Sequence, residues 1–83
     1  MHTRVNSNAT MAMTIRDRRR ERGITQKELA DRCGVSHVSI SKIESNITRP
    51  SLDTIIRIFR VLGLELVVRD ATIPSSSAIE DIF

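Results

Sequence analysis

The sequence predicts a mainly α domain, four short helices followed by one β-strand. Three observations predict it. Apolar residues recur at helical spacing in successive stretches, several of them opened by a hydroxyl side chain able to cap a helix. Glycines stand just past the expected helix ends at positions 23, 34 and 63. Residues 64–69, LELVVR, alternate instead with period two, the pattern of a strand.

The elements follow in order. Residues 1–10 are polar and without period, which predicts a flexible arm. The first helix is expected from about Met11 to Arg22, with Met11, Ala12 and Ile15 inward and Gly23 closing it in left-handed conformation. Thr25 and Glu28 form a T-x-x-E capping box that starts the second helix. Leu29 and Ala30 face inward on it, the small Ala30 allowing two helix axes to approach closely. Gly34 then turns the chain, because it adopts positive φ without a Cβ penalty. Val35 wedges the corner, Ser36 caps the third helix, and Ile40 and Ile43 face inward. The fourth helix begins after Pro50 and Ser51, places Asp53 where the helix dipole favours an acid, and ends near Gly63. Leu52, Ile55, Ile56, Phe59 and Leu62 form its core stripe. Ile58 and Val61 fall outside that stripe, either as a subunit interface or as scattered surface hydrophobes.

A solitary strand needs a partner for its backbone groups. Two arrangements satisfy residues 64–70: pairing with the same strand of a second copy about a two-fold axis, or an extended tail packed on its own domain without a ladder. In the first, Leu64, Leu66 and Val68 share the interface face.

Composition bounds the reading. At 83 residues there is room for one small domain, burying about 60% of its unfolded surface, so that oligomerisation is a natural supplement. No run of residues is long and apolar enough to span a bilayer, and the N-terminus has no secretory pattern, which predicts a cytoplasmic protein. Residues 1–69 hold all 13 Lys and Arg against seven Asp and Glu, a net of +6, while Asp70, Glu80 and Asp81 give the rest −3. A basic body suits a polyanion; the acidic tail does not. The single cysteine, Cys33, reads as a small core residue.

Gln26 to Glu44, QKELADRCGVSHVSISKIE, thus has the layout of a DNA-reading helix-turn-helix. With Arg19, Gly23, Thr25, Gln26, Leu29, Ala30, Gly34, Val35, Ser36, Ile40, Ile43, Glu44 and Pro50 to Leu52, the chain resembles the Xre and phage-repressor (lambda repressor-like) family from about Ile15 to Leu64. The resemblance implies a four-helix DNA-binding domain. A strand directly after the fourth helix looks further like the HipB-type antitoxins, which implies a dimeric autorepressor that also binds a kinase toxin. Such a protein works in the bacterial cytoplasm and on the nucleoid when DNA-bound.

With Ile40 and Ile43 inward, His37, Val38, Ser41, Lys42 and Ser45 lie on the outward side of the third helix. Lys42 suits guanine O6 and N7, His37 can donate to an acceptor edge, Val38 suits a thymine methyl, and Ser41 can bond a base or a phosphate. Gln26 resembles the family glutamine that meets phosphate at a helix N-terminus. Ser39, Thr48 and Arg49 are the other candidate backbone contacts; for each, the alternative is an exposed polar side chain. The resemblance also implies a partly buried salt bridge between Arg19 and Glu44. Two positions depart from the family: Arg18 stands where an apolar residue is usual, and Ser45-Asn46 where Asn-Gly is usual, Asn tolerating the left-handed turn.

No metal-ligand cluster, nucleophile and base pair, phosphate loop or paired carboxylate can be assembled from the sequence, so no cofactor, metal or enzymatic activity is expected. Three readings remain: a homodimeric repressor of a pseudo-palindromic operator that is also an antitoxin, a stand-alone regulator, and a protein-interaction module that has lost DNA binding. Residues 71–83, ATIPSSSAIEDIF, divide the first two, either as a flexible acidic tail or as an apolar, acidic segment ordering against a partner.

Overall fold

A computed structural model describes residues 3–71. They form α1 (Asn8–Glu21), α2 (Gln26–Cys33), α3 (His37–Glu44) and α4 (Leu52–Val61). Each begins on a hydroxyl N-cap whose oxygen accepts a main-chain N–H: Ser7 from Thr10, Thr25 from Glu28, Ser36 from Ser39, and Ser51 from Thr54. Such a cap stabilises a helix by about 1 kcal/mol. At Thr25 the reciprocal bond is made as well, the Glu28 carboxylate accepting from the Thr25 N–H.

Helix α1 starts three residues before the expected Met11, because Ser7 caps it and Thr14 donates back to the Thr10 carbonyl at 2.8 Å. The expected ten-residue arm is correspondingly shorter. Asn8, now helical, donates through its side-chain Nδ2 to the side-chain Oδ1 of Asn46. Asn46 carries positive φ, 59°, directly after α3. The turn is closed by Ile47 N–H donating to the Lys42 carbonyl at 2.9 Å. At the motif's corner Gly34 takes φ 71°, and the Val35 N–H reaches back to the Ala30 carbonyl at 3.1 Å.

The core joins Met11 and Ile15 of α1, Leu29, Ala30 and Cys33 of α2, Ile40 and Ile43 of α3, Ile58 and Phe59 of α4, and Leu62 at its C-cap. The phase of α4 differs from expectation. Its inward stripe is Ile55, Ile58, Phe59 and Leu62, with Ile58 fully buried and Leu52 61% exposed. Both stripes obey the same helical spacing on a helix with apolar residues on several sides, and packing on α2 selects between them. Ile58, expected at a subunit interface, therefore belongs to the protomer's own core. Val61 is half-buried against that core, and Leu64 packs there too.

No strand occurs among the described residues. After Leu64, whose N–H closes the helix end on the Phe59 carbonyl at 2.7 Å, the chain runs on to Ala71 without a ladder. A ladder needs a neighbouring strand, and none occurs among the described residues. Leu66, Val67 and Val68 are exposed, Val68 by 95%. Leu66 and Val67 border an open groove that is also lined by Thr3 to Asn6, Met11, Leu52, Ile55 and Phe59.

Arg18 has a structural reason for replacing an apolar residue. Its Nε donates to the Leu62 carbonyl at 3.3 Å and its Nη1 to Glu21 at 3.0 Å. A cation at the negative end of α4 takes the place of apolar contact.

Candidate nucleic-acid interface

α3 lies with one face in the core and the other open. Val38, His37, Ser39, Lys42 and Ser45 are exposed, and Ser41 is half-buried. These outward residues begin where Ser36 caps the helix. Ser36 Oγ donates to Ser39 Oγ at 3.1 Å and accepts the Ser39 N–H, so the Ser39 hydroxyl hydrogen remains able to donate. Thr48 and Arg49 are exposed in the following loop.

The helix is braced from beneath by a polar chain. Arg19 Nε donates to Glu44 Oε2 at 2.8 Å, and Arg19 Nη2 to Glu44 Oε1 at 3.0 Å. Its third nitrogen, Nη1, donates to the Ile24 carbonyl at 3.0 Å. The Glu44 side chain is only 2% exposed, so a planar bidentate pair meets the demand of a buried carboxylate. The hydrogen bond to Glu44 raises the Arg19 pKa above its ordinary value, desolvation pulling the other way.

Gln26 extends this chain to the open face. Its Nε2 donates to Glu44 Oε1 at 3.1 Å, and its Oε1 lies 3.2 Å from His37 Nε2. Sequence reasoning placed Gln26 toward phosphate and did not foresee its link to His37, because the two stand eleven residues apart on different helices. Helix adjacency across the turn is the only signal for it. Cys33 lies in the core, where burial raises its thiol pKa and the charge of Arg57 opposes the rise.

A family model described as Helix-turn-helix (HTH_3) matches residues 15–68. The chain belongs to that family. It is a helix-turn-helix DNA-binding transcriptional regulator. An uncharacterized HTH-type transcriptional regulator of Methanothermobacter thermautotrophicus is 46% identical over 55 residues, 66% of this chain and 80% of that protein. Antitoxin HipB of Escherichia coli O6:H1 is 37% identical over 62 residues, 75% of this chain and 66% of HipB. Among solved structures, a HipB variant in complex with an O2 20mer superposes with TM-score 0.77 at 29% identity, covering 87% of this chain and all of that one. HipB in a HipA-HipB-O2-O3 complex gives TM-score 0.76 at 28% identity, over 86% of this chain and all of that one. The helix-turn-helix of this chain thus sits in the same four-helix frame. No helix among the described residues is long and apolar enough to cross a membrane.

Proposed function

We propose that the chain is a homodimeric, sequence-specific repressor and the autoregulating antitoxin of a HipBA-like toxin–antitoxin module. The observation that carries the DNA-reading part is the open face of α3 on a helix whose other face is locked by Ile40, Ile43 and the Arg19–Glu44 pair. His37, Val38, Ser41 and Lys42 read base edges in the major groove, and Gln26, Ser39, Thr48 and Arg49 set the register on phosphates. Likeness to HipB in the complex with HipA supports the antitoxin part.

Dimerisation supplies what one copy lacks. Leu66 and Val68 are exposed, Leu66 beside an open groove, on a segment with strand periodicity and no ladder among the described residues. Pairing two such segments buries this surface and presents two α3 helices to successive major grooves, about 34–36 Å apart on a pseudo-palindrome. The expected contribution of the acidic tail falls on residues outside those described.

The stand-alone regulator is the second reading, and the higher identity to the archaeal transcriptional regulator favours it. Affinity purification of tagged full-length and tail-truncated protein from native cells separates the two. Recovery of a kinase-like toxin with the full-length chain supports the antitoxin; recovery of none with either form leaves the plain repressor. DNA affinity that neither falls steeply with salt nor discriminates against random sequence refutes both.

A further inference from the structure

We infer that the buried Glu44 carboxylate, acting through the Gln26 amide, fixes the hydrogen-bonding polarity of His37 and makes its free ring nitrogen an acceptor toward DNA. The inference deepens the DNA-reading function proposed above and rests on it.

The argument is a chain of obligatory polarities. Glu44, paired bidentately with Arg19, is a carboxylate and only accepts. The Gln26 atom facing Glu44 Oε1 at 3.1 Å must therefore be the donor Nε2. With its nitrogen turned inward, the amide presents Oε1, a pure acceptor, to His37 at 3.2 Å. A ring nitrogen facing an acceptor must carry the hydrogen, so His37 Nε2 is N–H. In the neutral imidazole the other nitrogen, Nδ1, then holds a lone pair. His37 is exposed in the first turn of α3, and Nδ1 makes no hydrogen bond among the described residues.

This reverses the donor role that the sequence suggests for His37. The donor is already engaged by Gln26, and the nitrogen left for DNA accepts. In the major groove an acceptor matches the amino hydrogens of adenine N6 or cytosine N4, whereas guanine and thymine offer only acceptors there. Gln26 and Glu44 touch no base in this scheme; they are positioning residues that determine specificity at one base pair. Arg19 is the origin of the polarity, because its bidentate pair aligns the Glu44 carboxylate.

The test has two arms, both on the full-length chain at about pH 8.5, where an ordinary imidazole is neutral. In the first, long-range proton–nitrogen correlation spectra of the free protein report the state of each His37 ring nitrogen. The expected result is a protonated Nε2 and a bare Nδ1. The alternative tautomer should be depleted about fivefold relative to the urea-unfolded chain, the factor that one net hydrogen bond supplies. Gln26→Met, of similar length but a far weaker acceptor, should shift the mixture toward that of the unfolded chain. A dominant Nδ1–H form, or identical mixtures in folded and unfolded wild-type chain, overturns the inference even if Gln26→Met fails to fold.

The second arm selects binding sites from randomised duplex DNA with wild type and with His37→Ala. The base pair whose preference relaxes in His37→Ala is the one His37 reads; each pair carries one major-groove amino group, on its adenine or cytosine, and the test removes it. Replacing that base by purine or by pyrimidin-2-one, which lack the amino group, should weaken binding of wild type more than of His37→Ala, and an equal loss in the two proteins overturns the inference. Selection of no sequence at all overturns the DNA-reading function instead, while the ring spectrum still decides the polarity.

Discussion

Glu44→Ala probes the brace beneath the reading helix. Glu44 accepts from Arg19 Nε, Arg19 Nη2 and Gln26 Nε2 within 2.8–3.1 Å, and its side chain is 2% exposed. Truncation leaves the Arg19 guanidinium in the interior with only the Ile24 carbonyl to receive it. Removing one partner of a buried pair costs about 3–5 kcal/mol. In a domain of this size, 1 kcal/mol moves the midpoint by roughly 4–8 °C, so Tm should fall by at least about 12 °C. Urea titrations at fixed protein concentration measure the loss directly and keep any dimer contribution constant. The comparison variant is Arg19→Met with Glu44→Leu, which removes both charges together and should cost less than Glu44→Ala alone, since apolar replacement of a whole pair is often close to neutral. An unchanged Tm in Glu44→Ala, or a double variant that loses as much as the sum of Arg19→Met and Glu44→Leu measured singly, would refute the buried pairing.

Four further expectations concern other parts of the molecule. Lys42→Ala should lose about 1–3 kcal/mol of discrimination at one base pair, whereas Arg49→Ala should weaken all sequences alike and reduce the salt slope by about one; competition assays across a salt series distinguish them. Ile58→Ala should cost about 2–5 kcal/mol of folding stability, as a fully buried core truncation. Val68→Asp should leave the protomer folded and shift sedimentation toward the monomer, because that side chain is 95% exposed. Finally, burial raises the Cys33 pKa, so the unfolded thiol ionises before the folded one as pH rises. Its contribution is whole below the ordinary thiol value and lost through the raised one; urea midpoints should decline over that alkaline window in wild type and less in Cys33→Ala.

Local chemistry made much of this fold legible. Thr25 with Glu28, Ser36, Ser51 and Gly34 each act within a few residues of themselves, so the starts of α2, α3 and α4 and the corner between α2 and α3 follow from the sequence. Two features depended on contacts between elements. Seven apolar residues between Leu52 and Leu62 admit more than one helical stripe, and only packing on α2 decides that Ile58 is inside and Leu52 outside. The early start of α1 had a local signal in Ser7, obscured by the polar residues around it. For the site, helical phase gave the open face of α3. The Gln26 to His37 link was invisible because it requires knowing how α2 and α3 meet, not what either contains.

That link changes how stability and recognition relate in this chain. Arg19 on α1 and Glu44 at the end of α3 hold the reading helix to the core, and the same carboxylate orients the amide that meets His37 at the other end of the helix. A substitution at Glu44 therefore disturbs fold and reading together, while one at Gln26 removes a single bond from the carboxylate and leaves its ion pair in place. Because the ion pair survives that change, Gln26 is the point at which specificity can change with little loss of stability. Comparing the two substitutions separates the functions: Gln26→Met should alter base preference beside His37 with a small change in Tm, and a large loss of stability with unchanged preference would place Gln26 in the scaffold alone.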